Sequence, residues 1–244
     1  MKPLLVPEEK IIVALDGMSK QEVLEMVIKI PELRWVKIGL ELFVCAGPSI
    51  FDDLRALNLH LFLDLKFHDI PATMAGVCRQ AAKHGVELMT VHACAGHKAL
   101  LESQASALIG AQEAGLTDPT LLAVTILTSW QQREFSADLS IHESLANRTL
   151  SLAKLAKESG LGGCICSPRE VAMLRSIYPE PFKLITPGIR FKNSNNHDQF
   201  RVASAAKALK DGSSSLVIGR PITQADDPRH SFLRFCDDIN STSY

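Results

Sequence analysis

Eight short apolar runs, each followed by a stretch whose apolar residues recur at helical spacing, fill the chain between residues 11 and 239. Parallel strands need a crossover of a dozen or more residues between them, and an amphipathic helix supplies one. The predicted strands cover residues 11–16, 35–39, 87–93, 121–127, 163–166, 182–186 and 216–218, and one more opens the stretch 61–73. The predicted helices cover residues 19–30, 48–57, 72–84, 98–114, 143–159, 168–177, 200–210 and 229–239. Ser19 suits an N-cap, and Gly85 and Gly115 suit C-terminal caps. Residues 129–142 read as a longer connection and 191–198 as a mobile loop. Strict alternation over 244 residues fits an α/β fold, a closed (β/α)8 TIM barrel in a single domain spanning residues 1–244. An open doubly wound sheet is the alternative, but no Gly-x-Gly-x-x-Gly follows the first strand.

Composition narrows the class of partner. A formal net charge of -1 and the lack of a long basic run give no support for a nucleic-acid or membrane-surface partner. No apolar run reaches the roughly 18 residues that cross a bilayer, and the first ten residues do not read as a signal peptide. The six cysteines lack Cys-x-x-Cys spacing, so they are expected to be reduced, mostly buried thiols of a cytoplasmic protein. Any anionic ligand should be small and held by a few specific groups.

The densest chemistry lies in residues 61–73. Leu61, Phe62 and Leu63 open a strand, and Asp64, Lys66 and Asp69 follow within six residues. A strand has a side-chain period of two, so Asp64 and Lys66 should share a side. Two charges at the end of a buried strand cost desolvation unless paired, which points to a site. A structural ion pair would leave the third charge unexplained. In a (β/α)8 barrel the C-terminal ends of the strands form the active rim. Here those ends carry Asp16, Lys37, Asp64, Lys66, His92, Thr128, Ser129, Ser167, Arg190, Gly219 and Arg220. Gly219 lets backbone N–H groups approach an anion, and Arg220 adds a planar cation suited to phosphate. A phosphorylated small molecule is the ligand these features favour. Blander readings apply to single residues: Asp16 as a turn residue, Lys37 snorkelling to solvent, Arg220 as a surface cation, His92 as a rim histidine rather than a metal ligand. His68 is expected to face away from Lys66. Cys164 and Cys166 share a strand face without a second ligand pair, so no metal site is expected there.

The run Asp-Leu-Lys-Phe-His-Asp-Ile-Pro at 64–71 resembles the signature of the orotidine 5'-phosphate decarboxylases, in their bacterial branch. Val36-Lys37-Ile38-Gly39, Val91-His92-Ala93, Leu127-Thr128-Ser129, Thr186-Pro187-Gly188-Ile189-Arg190 and Ile218-Gly219-Arg220-Pro221 extend the resemblance in order along nearly the whole chain. It implies conversion of orotidine 5'-phosphate to UMP and carbon dioxide, with no metal and no organic cofactor. It implies that Lys66 is the proton donor and that Asp64 lies beside the substrate carboxylate. Asp16 and Lys37 would hold the ribose and complete the charged network, so Lys66, Asp64, Asp69 and Lys37 form the implied catalytic set. Thr128 and Pro187 would contact the substrate, and Arg190, Gln199, Gly219 and Arg220 would hold its phosphate beneath a lid at residues 191–198. It further implies a homodimer in which Asp69, Ile70 and Thr73 enter the partner's site. Ala72 departs from the usual family pattern at a polar contact or helix cap, and the run Val202-Ala203-Ser204 departs from it at a helix start. Three alternatives stand beside this reading. They are a related metal-dependent barrel acting on a sugar phosphate, a Schiff-base aldolase, and a non-catalytic nucleotide-binding barrel.

Overall fold

Alternation along the strands sorts their side chains into two apolar cores. Ile12, Ala14, Phe62, Leu88, Leu122, Ile185 and Val217 pack together inside a ring of strands. Ile11, Val13, Val36, Ile38, Leu61, Leu63, Met89, Val91, Leu121 and Ala123 point outward into a larger core beneath the helices. Both strand faces are therefore buried, which is why the strands read as near-continuous apolar runs.

The computed structural model describes residues 6–191 and 202–241. Among them the strands are β1 (Ile11–Ala14), β2 (Trp35–Gly39), β3 (His60–Phe67), β4 (Leu88–His92), β5 (Thr120–Val124), β6 (Gly163–Ile165), β7 (Lys183–Thr186) and β8 (Ser215–Ile218). They pair in chain order, all parallel, and β8 closes onto β1. The expected barrel is therefore present.

The helices are α1 (Lys20–Ile28), α2 (Leu40–Ala46), α3 (Ser49–Ala56), α4 (Pro71–Lys83), α5 (His97–Ala114), α6 (Gln132–Leu139), α7 (Leu145–Glu158), α8 (Val171–Ile177), α9 (Ala205–Lys210), α10 (Arg220–Thr223) and α11 (Pro228–Asn240). Ser19 caps α1 in a reciprocal box: its Oγ accepts from the Glu22 N–H at 3.3 Å, and the Glu22 carboxylate accepts from the Ser19 N–H at 2.8 Å. Gly115 ends α5 in the left-handed conformation at φ +66°. Three helices, α2, α6 and α10, have no counterpart among the expected ones; α10 is a single turn directly after β8 and Gly219. Helix α2 continues straight from β2 through an apolar run with no polar boundary, so periodicity did not separate it. Helix α6 lies within the expected connection and buries only Phe135, too little apolar surface to register as a stripe. The helix expected from residue 200 begins at Ala205, where the Ser204 Oγ accepts from the Lys207 N–H at 3.3 Å. Ser204, part of the departure noted above, thus serves as a helix cap. Cys78, Cys164, Cys166 and Cys236 are buried, Cys45 and Cys94 are exposed, and all six are free thiols. No helix among the described residues is long and apolar enough to cross a membrane.

Helices α4 and α5 approach backbone to backbone at Gly110. A Cβ placed there would stand 2.3 Å from the Arg79 carbonyl oxygen. Alanine would return about 1 kcal/mol of helix propensity, but overpacking against a backbone atom costs about 1–3 kcal/mol. We therefore expect Gly110→Ala to lower the melting temperature; a rise would show that α4 and α5 part without cost.

Candidate active site

The barrel interior changes character from its base to its C-terminal end. Phe62, Val124, Ile165 and Val217 form an apolar floor, and the charged side chains rise above it around a cavity of about 660 Å³. Lys37 reaches this cavity because its β2 parity is inward, level with Ala14 and Phe62 on the flanking strands. Its side chain is only 8% exposed, and its ammonium donates to both Asp16 carboxylate oxygens, at 3.0 and 2.9 Å. Lys37 Nζ also lies 3.5 Å from Asp64 Oδ2. Gly39 leaves room for this pair: a Cβ there would fall 2.0 Å from Asp16 Oδ1 and 2.9 Å from Lys37 Nζ.

Asp64 and Lys66 meet by a different route from the one their spacing suggests. On a straight strand their α-carbons would stand about 6.6 Å apart along one face. Instead β3 is bulged. Leu63 pairs with Met89, whereas Phe67 pairs with Val91, so β3 spends two more residues than β4 over that step. Lys66 takes a left-handed backbone, φ +51°, uncommon for a residue with a side chain. Its ammonium then lies 3.0 Å from Asp64 Oδ2. The Lys66 N–H donates to Thr90 Oγ at 2.9 Å, and the Thr90 hydroxyl donates to Asp64 Oδ1 at 3.0 Å.

The electrostatics follow from these contacts. Burial pushes the Asp64 carboxyl up, but the charges of Lys37 and Lys66, with hydrogen bonds from Lys66 and Thr90, outweigh it and hold the group below its ordinary range. Asp64 is therefore ionised at neutral pH. His92 moves the other way for an imidazole: burial, then the neighbouring His68 and Lys66, lower its pKa and favour the neutral ring. Its ring centroid is 5.4 Å from that of His68, whose Nε2 lies 4.0 Å from the Cys94 thiol.

Asp16, Lys37, Asp64, Lys66, Thr128, Pro187, Arg190, Gly219 and Arg220 all line the one cavity. Arg190 is 7% exposed and donates to the Ile189 carbonyl at 2.8 Å. Ser129 also lines the cavity, but Ser167 does not: it is buried with its hydroxyl donated to the Glu170 carboxylate. Asp69, Ile70 and Thr73 are exposed and stand outside this cavity; Asp69 Oδ1 accepts from the Ile70 N–H at 2.6 Å. Gln199 and residues 192–198 of the expected lid lie outside the described residues. Phe191 stacks on Phe235 with ring centroids 3.9 Å apart.

Sequence reasoning missed Glu41 and Gln224, which also line the cavity, and Thr90. Glu41 accepts from the Gly17 N–H at 3.1 Å and sits on α2, whose apolar residues periodicity does not separate from β2. Thr90 shares the parity of Leu88 and His92, so reading β4 by its period of two would have found it. Among the described residues, no three His, Cys, Asp or Glu side chains are grouped as a metal ion would require.

Residues 9–235 match the family described as orotidine 5'-phosphate decarboxylase / HUMPS. A protein of Parasynechococcus marenigrum (strain WH8102) named orotidine 5'-phosphate decarboxylase is 56% identical over 233 residues, covering 96% of this chain and 95% of its own length. One of the same name from Prochlorococcus marinus (strain MIT 9211) is 56% identical over 238 residues, covering 98% and 99%. The crystal structure of orotidine 5'-phosphate decarboxylase from Lactobacillus acidophilus superimposes with a TM-score of 0.84 at 36% identity, covering 95% of this chain and 99% of that one. The chain belongs to the orotidine 5'-phosphate decarboxylase / HUMPS family.

Proposed function

We propose that this chain is a carboxy-lyase that converts orotidine 5'-phosphate to UMP and carbon dioxide in pyrimidine biosynthesis. The observation that carries the reading is the Lys66 ammonium, 3.0 Å from an ionised Asp64, on a cavity whose far side holds Arg190, Gly219 and Arg220. The family description also includes HUMPS proteins, and relatives at 52–56% identity are named for the decarboxylase, which favours this reading over a sugar-phosphate barrel.

Arg190, Gly219, Arg220 and Gln199 hold the phosphate. Asp16 and Lys37 hold the ribose, and Thr128 and Pro187 flank the pyrimidine. That leaves the base over Asp64 and Lys66. The bond from C6 to the carboxylate carbon breaks, carbon dioxide leaves, and the electron pair remains on C6. Lys66 stabilises that developing charge and then transfers its proton to C6, to be reprotonated from solvent. Every 1.4 kcal/mol by which the fixed ammonium favours the transition state over the ground state is worth about tenfold in rate. Asp64 pairs with the Lys66 ammonium at 3.0 Å and stands beside the departing carboxylate. An aldolase would need the opposite: a lysine depleted of its proton to form a Schiff base.

The segment after β3 serves a second site. Asp69, Ile70 and Thr73 are exposed and stand outside their own chain's cavity, and Ile70 is 67% exposed. In a homodimer these three residues enter the partner's site, where Asp69 joins the charged network. The protein acts in the cytoplasm on a soluble nucleotide.

Loss of the ultraviolet absorbance of orotidine 5'-phosphate measures the proposed turnover. We expect the protein to consume the substrate, and Lys66→Ala to abolish nearly all turnover while still binding UMP; undiminished turnover by that variant would refute the role given to Lys66. Mixing Asp69→Ala with Lys66→Ala is expected to restore part of the activity, because one hybrid site keeps both groups. Silence after verified subunit exchange would count against a shared site.

A further inference from the structure

Thr90 is wholly buried at 0% exposure, yet it is a polar residue in an apolar strand. A buried hydroxyl must be paired. Both partners of Thr90 belong to β3, and both belong to the charged cluster. Its oxygen accepts from the Lys66 N–H at 2.9 Å, and its hydrogen goes to Asp64 Oδ1 at 3.0 Å. The direction is forced: an N–H can only donate, so the hydroxyl proton is left for the carboxylate. These two bonds bridge the step at which β3 spends its extra residues and Lys66 turns left-handed. They also divide the Asp64 carboxylate between its neighbours. Oδ1 is fixed by Thr90, and Oδ2 is turned to Lys66 at 3.0 Å and to Lys37 at 3.5 Å.

We propose that Thr90 is the positioning residue of the reaction. Resting on the decarboxylase reading above, this means that its hydroxyl holds the Lys66 backbone in the left-handed bulge and locks the Asp64 rotamer, so that the ammonium is aimed before substrate arrives. Thr90 touches no reacting atom in this scheme and does not line the cavity. Its removal should therefore fall on kcat and spare ligand affinity, which depends on the phosphate and ribose groups elsewhere on the rim. A misplacement of about 1 Å at a reacting group can cost about a hundredfold in rate.

The test compares Thr90→Val and Thr90→Ser with the wild type. Valine keeps the shape of threonine but can neither accept from Lys66 nor donate to Asp64; serine keeps the hydroxyl. Thr90→Val is expected to lower kcat by about ten- to a hundredfold with UMP affinity unchanged, and Thr90→Ser to recover most of that loss. A valine variant with wild-type kcat overturns the proposal. So does a parallel fall in kcat, UMP affinity and melting temperature, which is the mark of general destabilisation, and so does a serine variant no better than valine. Absence of turnover by the wild type would count instead against the decarboxylase reading. The positioning claim is then decided by the crystal structure of Thr90→Val. There Lys66 is expected to leave its positive φ and part from Asp64; a cluster superimposing on the wild type overturns the claim.

Discussion

The Asp64 carboxylate, 13% exposed between two lysines, is the interaction on which the rest of the site depends. Removing a carboxylate from water costs several kcal/mol, and two nearby ammonium groups offset that only if the geometry is held. Loss of one partner from such a cluster typically costs about 3–5 kcal/mol, because a charge is left buried and uncompensated. The sign of the linkage follows. A carboxyl depressed below its unfolded value contributes stability that is present above the unfolded pKa and disappears as pH falls through the lower, folded one. The network is therefore fully formed at neutral pH, where the proposed chemistry needs Lys66 protonated.

Holding that geometry is the task of the barrel. Parallel register carries Lys37 to the rim level with Ala14, and Gly39 leaves the space in which Lys37 meets Asp16. The apolar floor of Phe62, Val124, Ile165 and Val217 keeps the charged layer at one end of the barrel. Strain stored at Lys66, a side-chain-bearing residue at φ +51°, persists because the pairing of β3 with β4 and the Thr90 hydroxyl over-determine it. Packing and polar bonding thus act on the same few atoms.

Much of this was legible in the sequence. The strand–helix alternation gave the barrel, because parallel strands buried on both faces leave an unmistakable apolar run each. Strand ends gave most of the charged and polar side chains on the cavity, from Asp16 to Arg220, although His92 and Ser167 do not line it. Period-two reasoning expects Asp64 and Lys66 to share a side, and they do meet on one cavity, but a bulge rather than a straight strand brings them together. A bulge leaves no pattern of its own in an apolar-polar alternation, and a left-handed lysine carries no glycine to mark it. Thr90 was hidden for a related cause: a β-branched residue inside a strand reads as ordinary strand former. Glu41 was lost with α2, whose apolar residues run on from β2.

The carboxyl of Asp64 can be observed directly. In protein labelled with carbon-13 at the aspartate carboxyls, assigned by comparison with Asp64→Asn, its titration reports whether the two lysines outweigh burial. We expect Asp64 to remain ionised at pH of about 4, where an ordinary aspartate is half-protonated. A carboxyl that is half-protonated or more at that pH would contradict the electrostatic basis of the site.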